Sequence, residues 1–424
     1  MAHKYDEMYH LEKSIPDYWA LKKLKDLAFL VTDRIDVSKV SLENYVSTEN
    51  MLPNKSGIEK AIKMPRYGSV TRFESRDILL SNIRPYFKKI WLAKFNGGCS
   101  NDVLVIKAKN DVSHSFLYYC LQQDPFFNYV TSSSKGTKMP RGDKVAIFSF
   151  EFPVPPLDEQ KAIAKILSDL DSKIELNEKM NKTLETIAQA IFKHWFIDFE
   201  FPNEEGKPYK SSGGEMVDSE LGMIPSNWTI KKLDDIANFL NGLPLQKYPA
   251  ISGERYFPVI KIKEMNSGIS TSSDKASCDI PPEYIVANGD ILFAWSGSLG
   301  VTIWCNGMGA LNQHLFKVSS TEYPKWFYYQ WLLHYLPDFI EIAKYKATTM
   351  GHIQRQHLSK SLVAVPDSNT FKMMNTIFNP IINRIINLRV EKDVLAKTRD
   401  IILPKLMTGK IRVSLEDKND KQNE

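Results

Sequence analysis

A tandem repeat constrains this chain more than any other feature. Trp19-Ala20-Leu21-Lys22-Lys23-Leu24-Lys25-Asp26-Leu27-Ala28 returns 209 residues later as Trp228-Thr229-Ile230-Lys231-Lys232-Leu233-Asp234-Asp235-Ile236-Ala237. Arg76-Asp77-Ile78-Leu79-Leu80 returns as Gly289-Asp290-Ile291-Leu292-Phe293 at an offset of 213. Lys135-Gly136-Thr137-Lys138-Met139 returns as Lys346-Ala347-Thr348-Thr349-Met350 at 211, and Phe152-Pro153-Val154-Pro155 as Val363-Ala364-Val365-Pro366 at the same offset. Matches kept in one order, with offsets that drift by four residues, mark a duplication. Length agrees, because 424 residues exceed the roughly 250–300 that one core sustains. Two homologous domains are expected.

Each copy ends in a helical stretch. Ile163, Leu167, Leu170, Ile174, Asn177, Asn181, Leu184, Ala188, Ile191 and Trp195 alternate four and three apart. Adding 211 gives Met374, Phe378, Ile381, Ile385, Leu388, Lys392, Leu395, Arg399, Ile402 and Leu406. Such spacing lines one face of a helix, as in a coiled coil. Two seams of matching length predict that the helices pair with each other; packing of each on its own domain is the plainer alternative. Asn177 and Asn181 would fix the register at some cost in stability. Asn379-Pro380 is expected to start the second helix afresh, and Pro404 to bend its last turn. Between the helices, Pro202 to Pro225 is rich in Gly, Ser, Pro and acid and reads as a linker. Ile78-Leu79-Leu80, Val103-Leu104-Val105-Ile106 and Ile291-Leu292-Phe293 read as strands, and His114–Tyr129 and Lys325–Ala343 as helices.

Charge gives the first hint of function. Between Lys55 and Asn96 stand ten basic residues (Lys55, Lys60, Lys63, Arg66, Arg72, Arg76, Arg84, Lys88, Lys89 and Lys94) against Glu59, Glu74 and Asp77. The segment is +7 while the whole chain is +5. With Tyr67, Phe73, Tyr86, Phe87 and Trp91 interleaved it suits a polyanion surface; a solvated strand face with snorkelling lysines is the bland alternative. Arg84, Lys88 and Lys89 are expected to hold phosphates, and their counterparts Ser298, Thr302 and Ile303 carry no such charge.

The sequence offers no machinery for covalent chemistry. Asp124-Pro125-Phe126-Phe127 lacks the second proline of the Asp-Pro-Pro-Tyr type of methyltransferase motif and reads as a surface turn. Gly297-Ser298-Leu299-Gly300 is too short for a phosphate loop, and Gly136 to Lys144 lacks the P-loop spacing. Glu159-Gln160-Lys161 has a nuclease-like spacing but opens a helix. No apolar run approaches the ~18–20 residues that span a bilayer, and Met1 to Glu7 resembles no secretory signal. Four scattered cysteines, Cys99, Cys120, Cys278 and Cys305, form no C-x-x-C pair, as in a cytoplasmic chain with free thiols.

Two homologous domains with a helix after each suit a ligand with two sites at a fixed spacing, such as DNA half-sites. The chain resembles the specificity subunit of type I restriction-modification systems over about residues 15–410. The resemblance rests on Trp19 with Leu24, on Asp77-Ile78-Leu79, and on Ser133-Ser134-Lys135-Gly136-Thr137-Lys138-Met139. It also rests on Pro153-Val154-Pro155-Pro156-Leu157-Asp158-Glu159-Gln160, and on Trp228 with Leu233. The second copy departs, with Pro366-Asp367-Ser368-Asn369-Thr370-Phe371, so the helix surfaces that meet partners are expected to be asymmetric. The resemblance implies an α+β fold of two pseudo-twofold related target-recognition domains separated by two long antiparallel coiled-coil helices. The divisions are a first domain at 1–155, a spacer helix at 156–200, a linker at 201–226, a second domain at 227–366, a second helix at 367–410 and a disordered tail at 411–424.

It implies a non-catalytic subunit that reads a bipartite double-stranded DNA target and docks two methyltransferase subunits, with motor-nuclease subunits joining. No cofactor is expected in this chain; S-adenosylmethionine, ATP and magnesium would belong to the partners. The candidate DNA contacts are Ser81, Asn82, Arg84, Tyr86, Lys88, Lys89, Ser134, Lys135, Gly136, Thr137, Lys138 and Arg141 in the first copy. Those of the second are Ser296, Ser298, Lys346, Thr348, Met350 and His352. A self-contained DNA-modifying enzyme and a coiled-coil interaction scaffold are the rival readings.

Overall fold

Each repeat is organised around the strand that its Asp-Ile-Leu motif opens. In the computed structural model, which describes residues 15–345 and 351–414, Asp77 accepts the backbone N–H of Glu74 and Asp290 that of Ala287, each at 2.8 Å. The carboxylate closes a turn that delivers the chain into a fully buried strand. A lysine on the adjacent strand answers it, Lys107 at 3.9 Å and Lys317 at 3.1 Å.

The chain divides into two units. The first comprises Met1–Ser172 with Ala396–Glu424. Its strands are β1 (Ala20–Lys23), β2 (Ala28–Leu30), β3 (Arg34–Asp36), β4 (Tyr45–Val46), β5 (Ser69–Phe73), β6 (Ile78–Ser81), β7 (Ile90–Leu92), β8 (Gly97–Cys99), β9 (Val103–Ala108) and β10 (Glu151–Val154). They form sheets ordered β2-β9-β6-β7 and β3-β5-β8-β4, plus a β1-β10 ribbon. Alternation along β6 splits the core, as successive strand residues face opposite sides. Ile78 and Leu80 pack with Phe116, Phe126 and Phe127 of the helices His114–Leu121 and Asp124–Ser132, whereas Leu79 packs with Phe73 and Trp91.

The second unit is Lys173–Leu395. It contains β11 (Met216–Val217), β12 (Ile224–Pro225), β13 (Thr229–Lys232), β14 (Asn238–Asn241), β15 (Tyr256–Ile260), β16 (Lys275–Ser277), β17 (Ile285–Val286), β18 (Ile291–Ala294), β19 (Gly300–Ile303), β20 (Gly309–Leu311), β21 (Leu315–Ser319) and β22 (Leu362–Val365). The β13-β22 ribbon and the sheet β14-β21-β18-β19 repeat the first unit strand for strand. The other sheet, β16-β15-β20-β17, keeps only three strands in common. In both units a middle strand (β8, β20) lies antiparallel to one neighbour (β5, β17) and parallel to the other (β4, β15). The fourth strand is added at opposite edges, β3 beside β5 but β16 beside β15.

The expected linker at 201–226 is folded. It holds the β11-β12 hairpin and a bridge from Pro202 to Pro208, and Phe201 stacks on both Tyr209 and Trp228. Buried aromatics explain why a Gly- and Pro-rich stretch is ordered here.

The long helices run Leu157–Phe192 and Ser368–Met407, the first ending in a π-turn at Lys193–Ile197. In the second unit Asn177 donates to Glu391 at 3.1 Å, Lys392 pairs with Glu178 at 3.0 Å, and Arg389 pairs with Glu185. Arg399 meets Asp171 at 2.7 Å in the first unit. From Asn177 and Glu178 to Glu185 the partners fall from 391 and 392 to 389, so the paired segments of the second unit are antiparallel. Asn379-Pro380 does not interrupt the second helix; Pro380 is exposed, where its ring meets solvent instead of a packed neighbour. Pro404 likewise lies inside the helix. On the second seam Ile382 is buried where Ile381 was expected, and Leu403 joins Leu406.

The Pro-Leu-Asp-Glu-Gln motif is structural. Buried Glu159 accepts from Trp19 Nε1 at 3.2 Å and from the Tyr18 hydroxyl at 3.0 Å. Gln160 accepts the Ser113 N–H and donates to the Pro155 carbonyl, each at 3.0 Å. Thr370 and Phe371 stand at these positions in the second copy, and Trp228 Nε1 has no partner among the described residues.

Candidate nucleic-acid interface

Two loops in each unit are drawn together by the fold. In the first unit the loop after β6 meets the loop before the helix Lys144–Ser149 through a bridge between Ile83 and Arg141. Arg84 N–H donates to Pro140 O at 2.8 Å and Gly142 N–H to Asn82 O at 3.0 Å. A bridge between Lys135 and Arg141 closes the second loop on itself, with Gly136 at φ +98°, a conformation glycine tolerates without cost. In the second unit the same stitch joins Ser296 to His352, with Gly297 N–H donating to Gly351 O at 2.9 Å and Ile353 N–H to Trp295 O at 3.0 Å.

The first-unit candidates sort by their partners. Lys135 pairs with Asp143 at 2.6 Å and Arg141 with Asp102 at 3.1 Å. Lys88 lies on Asp124 at 2.8 Å, a carboxylate it shares with Lys55 at 3.3 Å. Burial works against ionisation of Asp124, but the two ammonium groups outweigh it and hold the carboxyl below the ordinary range. Lys89 donates to Thr48 O at 2.6 Å. Burial draws its pKa down. Ser134 spends its hydroxyl on Thr131 O at 2.6 Å. Gly136, Thr137 and Lys138 are exposed, and Tyr86 is exposed beside Phe87, ring centroids 4.7 Å apart. Ser81 ends β6 buried, with its hydroxyl donating to Ile83 O at 3.1 Å. Asn82 is also buried, and its Oδ1 and the Nε of Arg84 have no partner among the described residues.

Much of the +7 on residues 55–96 is answered from outside that segment. Lys60 pairs with Glu43 and Lys63 with Glu49, in addition to the two lysines on Asp124. A local charge count sees only neighbours in sequence, whereas these acids arrive through the fold.

In the second unit Ser296 is buried with its hydroxyl 3.1 Å from His314 Nδ1, and Ser298 is exposed. His352 stands edge-on to Trp295, centroids 6.4 Å apart, and Trp295 Nε1 donates to Asn241 Oδ1 at 2.9 Å. Lys346, Thr348 and Met350 lie outside the described residues. Thr302 and Ile303 are strand residues of β19, not loop counterparts of Lys88 and Lys89, because this loop is shorter than that of the first unit. Sequence reasoning missed Asp102, Asp143, Asn241, Trp295 and His314. The repeat held a signal for one pair: Asn101-Asp102 and Gln313-His314 immediately precede β9 and β21.

Among the described residues no helix is long and apolar enough to cross a membrane, and no group of His, Cys, Asp and Glu could hold a metal ion. A family model described as the type I restriction modification DNA specificity domain matches residues 16–186 and again 225–395. The MjaIX type I restriction enzyme specificity subunit of Methanocaldococcus jannaschii is 27% identical, covering 94% of this chain and 95% of its own. The MjaVIII specificity subunit of the same organism is 26% identical, covering 96% of each. The S subunit of a type I restriction-modification system from M. genitalium shares the fold, with a TM-score of 0.59 at 16% identity over 93% of this chain and 96% of that one.

Proposed function

This chain belongs to the type I restriction modification DNA specificity family, with two copies of its domain, and from that premise we propose that each unit reads one half of a bipartite double-stranded DNA target through its stitched loops. Its role is that of the specificity subunit, the recognition part of the enzyme and not a catalytic one. The observation that supports the loop assignment is the repeated stitch: Ile83 to Arg141 and Ser296 to His352 bring the same two loops together in both units. The side chains they carry differ, which suits two different half-sites. Phosphate contacts fix register and base-edge contacts carry sequence, so exposed Lys138 suits the first task and His352 the second.

In this reading the two long helices set the gap between half-sites and dock two methyltransferase subunits, with motor-nuclease subunits completing the enzyme. S-adenosylmethionine, ATP and magnesium act in those partners. Methylome sequencing of a host carrying the intact operon is expected to show two specified blocks separated by a fixed unspecified gap. His352→Ala should alter one block and leave the other. A contiguous motif, or a His352→Ala motif identical to that of the parent, would overturn the loop assignment.

A further inference from the structure

The fold leaves one arginine of the stitched loops unspent. Lys88, Lys89, Lys135 and Arg141 all have partners within 3.1 Å, whereas Arg84 has none among the described residues and its Nε is buried without a bond. Its backbone is held in a costly state. Arg84 is left-handed, φ 49° and ψ 62°, and the next residue is Pro85. A side chain with a Cβ disfavours that region, and a following proline disfavours helical backbone further. Such strain persists only where its surroundings over-determine it, and here they do: the Arg84 N–H is bonded to Pro140 O and Ile83 is bridged to Arg141. Two residues earlier, Asn82 is nine-tenths buried with its Oδ1 unpaired, a second polar group in the same stitch with an unmet bond.

A rigid mount suits a group whose angle matters. Phosphate is held well by a flexible ammonium, but a guanidinium presents a planar fork that fits N7 and O6 of guanine in the major groove. We propose that Arg84 reads a guanine of the first half-site, a base contact and not the phosphate contact its charge suggests. This rests on the proposed DNA-reading role of the first unit and names its specificity-determining residue.

The test uses the assembled methyltransferase complex and the variants Arg84→Gly and Lys138→Ala. Glycine removes the fork while favouring the left-handed backbone, so folding is preserved and the melting temperature should hold or rise. Wild-type methylome sequencing first fixes the half-site, and duplexes with single base-pair changes in it are then compared. Wild-type discrimination at one G·C pair should fall roughly tenfold to a hundredfold in Arg84→Gly, with the other positions unaffected. Lys138→Ala should weaken all duplexes by a common factor. Equal weakening of cognate and altered duplexes by Arg84→Gly, or a first half-site without a G·C pair, overturns the proposal while leaving the first unit a DNA reader. If wild type does not discriminate any first-block change, the proposed function itself fails.

Discussion

Lys88 shows how far a single charge can be from what its neighbours in sequence suggest. Placed in a basic run, it reads as a phosphate contact; in the structure its ammonium belongs to Asp124. No spacing rule links residues 88 and 124, because helix Asp124–Ser132 meets the loop through the tertiary fold and not through the local sequence. Asp124→Asn removes the ion pairs of Lys88 and Lys55 together, leaving Lys55 its bond to Gln122 O at 3.1 Å. Duplex affinity should then rise a few-fold regardless of sequence, and the salt slope should steepen by up to ~0.9 for each ammonium that finds a phosphate. Unchanged affinity across a salt series would show that neither lysine faces DNA. The sign with pH follows from the depressed carboxyl. Its contribution to stability is present above the ordinary carboxylate pKa of about 3.9 and is lost as pH falls through the lower folded value. At neutral pH the pair is intact, so any gain from Asp124→Asn should shrink only in acid.

At the scale of elements the repeat was the more informative signal, since a strand found in one copy locates its twin in the other. The strands Ile78–Ser81 and Ile291–Ala294 and both long helices were legible this way. The folded segment 201–226 was not, because its order comes from Phe201 and Tyr209 packing in a stack with Trp228, which composition does not register. The opposite edges taken by β3 and β16 were also hidden, since edge choice depends on loop path and not on residue pattern. Pro380 misled for a different reason. Proline in a helix interior costs about 3 kcal/mol relative to alanine, yet burial of Phe378, Ile382 and Ile385 on the opposite face carries the helix through it. Pro380→Ala is expected to stabilise the protein by about 1–3 kcal/mol, raising the melting transition by several degrees in calorimetry. A fall in that transition would mean that the proline fits a bend the helix needs.

For the whole molecule, the feature that matters is that each long helix begins in one unit and ends in the other. If these helices set the half-site gap, lengthening one alone must break the ion pairs on one side of the insertion. Four residues added after Ser172 and four more after Lys392 keep Asn177–Glu391, Glu178–Lys392 and Asp171–Arg399 matched and add about 6 Å to each helix. The methylated motif should keep both blocks and gain one or two base pairs of gap, at about 3.4 Å each. Altered blocks at an unchanged gap would remove the helices from that role. The same chain path also fixes an order of manufacture. All the residues of the second unit are available once Leu395 has left the ribosome. The first unit draws Leu403, Leu406 and Met407 into its core and sets Arg412 against Glu159 and Tyr18, so it must wait until Arg412 has been made. The domain translated first is therefore completed last, and a ribosome that stops after Leu395 releases a chain whose later half is whole and whose earlier half is not.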